Sequence, residues 1–428
     1  MPMTDCEHPN SYYLATAQGL VERPQLKGEE TCDVAVVGGG LTGLSAALHL
    51  AERGYDTVLL EARRFAWGAS GRNGGQLNSG QRQDPMRVAR LMGPEDSRQL
   101  WDLAEEAKAL VRALIAKHDI ACDLKDGHIS AAWKAADADY YHRLADTLQR
   151  DYDYAPIRAL TRREIGEMLG THAYHGGALD TGAAHLHPLN YALGLAHAAE
   201  AAGARLYENS PVGPLQQGAQ SRLSTPQGSI KARTVVLACN GYLDRLEQRI
   251  AGNIMPINNF IIATEPLGDE AARALIRDDV AISDSKFVVD YYRLSADRRL
   301  LFGGGESYGR QLPKDITSIV RRCMLRVFPQ LAETRIDYAW GGTLAITMNR
   351  LPDVGRLSGD IYYAQGFSGQ GLALTSLLGK ILAEAIAGTN ERFDLFARIP
   401  TPRFPGGTLL RRPGQVLGML YYSLQDKL

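Results

Sequence analysis

The sequence predicts an α/β protein, α+β over its whole length, in which a parallel-sheet domain is joined to an antiparallel-sheet domain. Three observations predict it. Between Cys32 and Glu61 a strand, a glycine turn, a helix and a second strand follow one another. Between 245 and 337 several short apolar strands occur with no second glycine fingerprint. Between 360 and 388 a last strand runs through a glycine loop into an apolar helix.

The first element is the apolar, β-branched run Asp33 to Val37, and Gly38, Gly40 and Gly43 follow it in G-x-G-x-x-G spacing. Helical periodicity from Leu41 to about Arg53 places Leu44, Ala47, Leu48 and Ala51 on one face, and Thr57 to Leu60 form the next strand. Gly38 allows the tight turn, Gly40 lets the backbone approach a pyrophosphate, and Gly43 lets helix and strand pack closely. Leu41 and Thr42 open a helix whose free N–H groups attract phosphates. Glu61 ends the second strand, where a carboxylate meets ribose hydroxyls. This Rossmann-like unit suits NAD or FAD and argues against NADP.

The continuation is a polar loop that a plain NAD half-domain does not need. After Ala62 and Arg63 it runs from Trp67 through Gly68, Ala69, Ser70, Gly71, Arg72, Asn73, Gly74 and Gly75 to Gln76. This run resembles the FAD-dependent D-amino-acid oxidase superfamily, and within it the γ-glutamylputrescine oxidoreductase branch. The resemblance implies a D-amino-acid oxidase or glutathione-reductase-type fold. It also implies an FAD whose pyrophosphate and isoalloxazine ring run along this loop.

The same resemblance implies a discontinuous FAD-binding domain of residues 28–90, 186–245 and 338–400, a substrate domain of 91–185 and 246–337, and a tail helix in 401–428. It puts Val212 near adenine and closes Ala238, Asn240 and Gly241 over the cofactor. Gly342 faces the cofactor, and the loop Gly366, Ser368, Gly369, Gln370, Gly371 and Leu372 opens a helix beneath the flavin pyrimidine. A helix N-terminus carries about half a positive charge there, which stabilises an anion.

Amino-acid oxidases of the superfamily often hold the substrate carboxylate with an arginine in a pattern like W-x-G-x-R-P. Here the run from Trp340 has Leu344 in that place. Leucine offers no bidentate fork, so an amine is a better substrate than an α-amino acid. The resemblance therefore implies hydride transfer from a small-molecule amine, γ-glutamylputrescine or a related polyamine derivative, giving aldehyde and ammonia. O₂, yielding peroxide, or an unidentified acceptor then takes the electrons. Tyr291, Tyr292 and Trp340 are the expected aromatic lining of the pocket, with Gln370 at the flavin. Oxidation of a secondary amine or a sarcosine- or D-amino-acid-type substrate is the alternative activity, and a flavin-binding subunit without turnover is the alternative class. Covalent members of the family use a histidine in the loop after the second strand or a cysteine near the C-terminal loop. Arg72 and its neighbours stand in the first place, and no cysteine follows Cys323, so non-covalent FAD is expected.

Composition bounds the rest. The 428 residues are 45% hydrophobic and 22% charged, enough for a large core and two domains. A net charge of −1 gives no electrostatic case for nucleic acid. Five cysteines without C-x-x-C, and a polar N-terminus without an apolar signal core, fit a cytoplasmic protein. The apolar stretch Val34 to Ala51 is read as the βαβ unit and not a membrane span. His172, His175, His185 and His187 lack acidic or cysteine partners at ligand spacing, so no metal is expected.

Between these motifs the chain reads as scaffold. Ser97 to His118 and Ala135 to Asp151 are amphipathic helices, Gly127 to Trp133 a strand, and Thr161 with Glu164 a capping box. Phe260 to Thr264, Phe287 to Tyr292 and Arg299 to Phe302 are strands of the second sheet. Ser11 to Lys27 is an irregular leader. The tail, with Val416, Leu417, Leu420 and Leu424, is read as a helix docked on the body.

Overall fold

The computed structural model describes residues 7–216, 218, 220–307, 311–358 and 360–408. The tail run from Val416 to Leu424 lies outside the described residues. Val34 to Val37 are apolar and buried on both faces, the pattern of a central parallel strand. Gly28–Val37 is that strand. Its neighbours are Thr57–Leu60 and Gly228–Leu237, both parallel to it. The sheet runs Asp353–Leu357, Ile361–Gln365, Gly228–Leu237, Gly28–Val37, Thr57–Leu60, Arg205–Tyr207, with Ser221–Ser224 paired antiparallel to Gly228–Leu237.

The helices Leu41–Ala51 and Leu372–Ile386 pack together in the main core cluster, so both are apolar almost all round. Their crossing is close because residue 379 is glycine. A Cβ there would come within 2.7 Å of Thr42 O and Ala46 N.

The second sheet runs Ile336–Ile346, Met255–Thr264, Leu300–Ser307, Tyr291–Leu294, Ala281–Asp284, Lys125–Ala131, Gly177–His185 and Gln76–Leu77, with Ile157–Leu160 against Gly177–His185. It is antiparallel as expected, save that Ala281–Asp284 lies parallel to Lys125–Ala131. Gln76–Leu77 and Ile336–Ile346, assigned above to the nucleotide half, hydrogen-bond into this sheet.

Two local expectations change. Residues 287–290 are a loop, not a strand, because Asp284 Oδ1 accepts from the N–H groups of Lys286 (3.3 Å) and Asp290 (2.9 Å) and closes a turn. The leader contains a helical turn, Tyr12–Ala15, capped by Ser11, and Tyr13 is fully buried edge-on to Trp340 at 5.3 Å. The helices Pro94–Lys117 and Ala135–Asp151 and the capping box at Thr161 form as read. Among the described residues no single helix is long and apolar enough to cross a membrane, and Cys32, Cys122, Cys239 and Cys323 are free thiols.

Candidate active site

Between the two sheets lies a cavity of about 1480 Å³. Its first wall is mostly backbone. Gly40 precedes the helix Leu41–Ala51, and Ser70 Oγ accepts from Leu41 N at 3.0 Å, at the helix end that attracts phosphate. The turn before it packs so closely on the helix start that a Cβ on Gly43 would sit 1.9 Å from Gly38 O. Glu61 Oε2 accepts from Gly39 N (2.7 Å) and Oε1 from Arg63 N (2.9 Å), and burial pushes this carboxyl up from its ordinary value. Arg63 stacks on Trp67 at 4.0 Å with a buried Nη1 that has no hydrogen-bond partner among the described residues.

The loop Gly68 to Gln76 is knitted by its own polar groups. Asn73 donates to Ala69 O and Ser70 O and accepts from Gly75 N. Arg72 donates to Trp67 O and Gly341 O, while Gln76 donates to Ile282 O and so pins the loop to the second sheet. The last loop turns through positive φ at Gly366, Ser368 and Gly369. Ser368 Oγ accepts from Thr347 N, and Asn240 Oδ1 accepts from Gly366 N at 2.9 Å. Gln370 Nε2 donates to Ser79 O and Gly80 O, which ties this loop to the strand end after Gln76.

The opposite wall is made of side chains. Met255, Ile257, Asn259 and Ile261 alternate along one strand, and Gly342, Leu344 and Ile346 along its partner. Tyr291 lies between the walls. Its ring occupies the space a Cβ on Gly74 or Gly303 would need, and its hydroxyl donates to Asn259 Oδ1. Burial raises the Tyr291 phenol far above its usual range, so it is a neutral donor. On the cavity lining Asp180 accepts from Ser79 Oγ and from Tyr154 OH, and Lys108 Nζ donates to both of those hydroxyls. Burial also pushes the Asp284 carboxyl up, against the pull of Lys286, whose Nζ lies 2.9 Å from Asp284 Oδ2 and also binds Asp290.

Of the expected site residues, Leu41, Ala69, Ser70, Arg72, Asn73, Gly74, Gln76, Asn240, Tyr291, Gly342, Ser368, Gly369, Gln370, Gly371 and Leu372 line this cavity. Gly38, Gly40, Thr42, Gly43, Glu61, Ala62, Arg63, Gly68, Gly75, Val212, Ala238, Gly241 and Gly366 do not. Two pocket expectations are corrected. Tyr292 is buried in the second core, stacked on Phe302 at 5.2 Å, with its hydroxyl on Tyr174. Trp340 is buried beneath the loop, its Nε1 donating to Arg72 O at 3.0 Å. Sequence reasoning also missed Asn78, Ser79, Arg82, Tyr140, Tyr141 and Asn259. The segment Asn78 to Asp84 carries no motif, and Tyr140 and Tyr141 read as one turn of an ordinary amphipathic helix.

His185 and His187 are structural. His185 Nε2 bonds Asp279 O, and His187 Nδ1 accepts from Asn190 N at the start of the helix Pro188–Ala201. Among the described residues no group of three His, Cys, Asp or Glu is placed to hold a metal.

FAD fits these residues. The glycine turn leads into a helix N-terminus with its free backbone N–H groups, and Arg63 keeps a buried donor and Asn78, on the cavity side, a buried carbonyl, each without a hydrogen-bond partner among the described residues. Comparison with known proteins agrees. The chain is 40% identical to γ-glutamylputrescine oxidoreductase of Escherichia coli K12 over 423 residues, covering 99% of each. It is 37% identical to the probable oxidoreductase OrdL of Haemophilus influenzae, covering 98% of each. Among solved structures, glycine oxidase from Geobacillus kaustophilus superposes with a TM-score of 0.75 at 23% identity, covering 87% of this chain and 99% of that one. The family model FAD dependent oxidoreductase matches residues 33–385, from the first strand through the helix after Gln370, and the chain belongs to that family, with FAD as its cofactor.

Proposed function

We propose that the chain oxidises the primary amine of γ-glutamylputrescine, or of a closely related polyamine derivative, to an aldehyde with release of ammonia. The observation that carries this reading is the full-length likeness to the Escherichia coli enzyme. Leu344 on the cavity wall supports it, because leucine cannot pair with a carboxylate beside the reacting carbon. When bound, FAD supplies the two-electron acceptor for the hydride that leaves the amine α-carbon. Water then hydrolyses the imine, and either O₂, giving H₂O₂, or another acceptor takes the electrons.

The chain's own residues would hold and dehydrate the substrate. Gly38 to Gly43, Glu61 and Arg63 would seat the adenosine and pyrophosphate, the loop Ala69 to Gln76 the isoalloxazine, and Gly369 to Leu372 the pyrimidine. Met255, Ile257 and Leu344 offer an apolar wall to an alkyl chain. Such a wall favours the neutral amine over the alkylammonium. The reference ammonium pKa is about 10.4, so kcat/KM rises from pH 6 toward pH 9. The free thiols suit a cytoplasmic enzyme.

The test is anaerobic mixing of the flavoprotein with γ-glutamylputrescine, putrescine, sarcosine and a D-amino acid in separate cuvettes. Rapid loss of the oxidised flavin band with the first alone is expected. Reduction by sarcosine or the D-amino acid alone would move the enzyme to amino-acid oxidation.

A further inference from the structure

The cavity holds several cations, and most are engaged. Arg72 is hydrogen-bonded to Trp67 O and Gly341 O, and Lys286 is paired with Asp284 and Asp290. Arg350 lies over Phe287, and Arg87 stands on the exposed face of the helix Pro85–Met92. Arg82 differs. It lines the cavity, its side chain is open to the cavity space, and among the described residues it makes no ion pair or hydrogen bond. Its electrostatic neighbours are Tyr141 and Tyr140 of the helix Ala135–Asp151 and Glu306 of the strand Leu300–Ser307, whose carboxylate is beyond ion-pair distance.

The segment carrying Arg82 is held in place. Gln370 donates to the carbonyls of Ser79 and Gly80, Gln81 donates to Leu100 O, and Tyr140 donates to Asp84 at 2.9 Å. A guanidinium on an anchored segment, facing open cavity space without a partner, is poised for an anion from outside the chain. Desolvation inside the cavity lowers its pKa from the ordinary arginine value, partly offset by Tyr141, Tyr140 and Glu306.

We propose that Arg82 is the specificity-determining anchor for the carboxylate at the glutamyl end of the substrate, remote from the reacting amine. The proposal rests on the functional reading above and adds to it the residue that recognises the end of the molecule where no chemistry occurs. A γ-glutamyl amide of putrescine carries its carboxylate at the far end from the amine, so the cation must stand away from Leu344. Arg82 enters the cavity from the segment after Gln76, a different part of the lining from the strand Ile336–Ile346 that bears Leu344.

The experiment compares three amides of putrescine with wild-type enzyme, R82K, R82Q and R87Q. The γ-glutamyl amide carries carboxylate and ammonium, the glutaryl amide the carboxylate alone, and the butyryl amide neither. A charge-assisted contact of this kind is worth roughly 10- to 100-fold. R82Q is therefore expected to lower kcat/KM for the first two by about 30-fold, mainly through KM, and to leave the butyryl amide within about twofold. R82K keeps the charge without the fork and falls between, and R87Q tests the neighbouring cavity arginine: a selective fall confined to Arg82 variants is expected, and an equal selective fall in R87Q overturns the assignment to Arg82. Flavin absorbance per chain and the thermal midpoint check that each variant folds, and R82K carries the same comparison if R82Q loses its flavin. An equal fall for all three amides in R82Q, or no fall for the glutaryl amide, overturns the anchor while leaving the functional reading intact. Oxidation of none of the three by the wild type overturns the functional reading, and the anchor with it.

Discussion

The two walls of the cavity are built from different material. The wall of Leu41, Ala69, Ser70, Asn73, Gly74 and Ser368 to Gly371, backed by the turn Gly38 to Gly43, owes its shape to the backbone, and its tolerances are set by where a Cβ would go. The facing wall of Met255, Ile257, Asn259, Tyr291 and Leu344 presents side chains on strands whose hydrogen bonds do not depend on them. A backbone surface suits a ligand that never changes. A side-chain surface can be altered residue by residue without unmaking the sheet.

The largest test of that contrast is Gly43→Ala. With 1.9 Å to Gly38 O the turn must open, and the cost is about 3 kcal/mol, the top of the overpacking range. Purified G43A is expected to carry little flavin and to melt lower, as read from visible absorbance per chain and a thermal scan. Full flavin content at an unchanged midpoint would break the contrast.

The second test concerns the sheet that bears the side-chain wall. Burial lowers His185 and His187 to about 3 and His128 to about 4, from an ordinary 6.5. The unfolded chain thus binds protons below pH 6.5 that the folded chain refuses until near pH 4. Stability is complete above pH 6.5 and falls as acid is added, by about 1.4 kcal/mol per pH unit for each histidine. The urea midpoint is expected to drop steadily between pH 6.5 and 4.5, and less steeply in His185→Gln. A level midpoint over that range would remove these histidines from the account.

The smallest effect belongs to Tyr291→Phe. It removes the hydrogen bond to Asn259 Oδ1 but keeps the ring between Gly74 and Gly303, so about 1 kcal/mol is expected. Flavin content should hold and kcat/KM fall about fivefold. A loss as large as that of G43A would show that the side-chain wall is no more forgiving than the backbone one.

The same contrast explains what the sequence made legible. Gly38, Gly40 and Gly43 are read by a local rule, since the spacing that makes the turn is written within six residues. Gly366 to Leu372 follows the same logic of strand, loop and helix. Tyr291 and Tyr292 show where local reading stops. Adjacent residues on a strand face opposite ways, so one lines the cavity and the other stacks in the core on Phe302. Which is which depends on how the strand Tyr291–Leu294 pairs with Leu300–Ser307 and Ala281–Asp284, and that register is a long-range fact. Trp340 went to the core because the leader's Tyr13 and the loop at Arg72 cover it. Arg82, Tyr140 and Tyr141 were silent for a related reason. They acquire a common surface only when a loop and a helix more than fifty residues apart are packed together.

The strand order carries a consequence for how the enzyme is made. Gly28–Val37 leaves the ribosome some two hundred residues before its parallel partner Gly228–Leu237, and that strand's neighbour Ile361–Gln365 comes later still. With synthesis at about 5 to 20 residues per second, the first strand waits ten seconds or more for its sheet. Until then Val34 to Val37 are covered only by the nearby helix Leu41–Ala51 and strand Thr57–Leu60, and the edge that pairs with Gly228–Leu237 stays open.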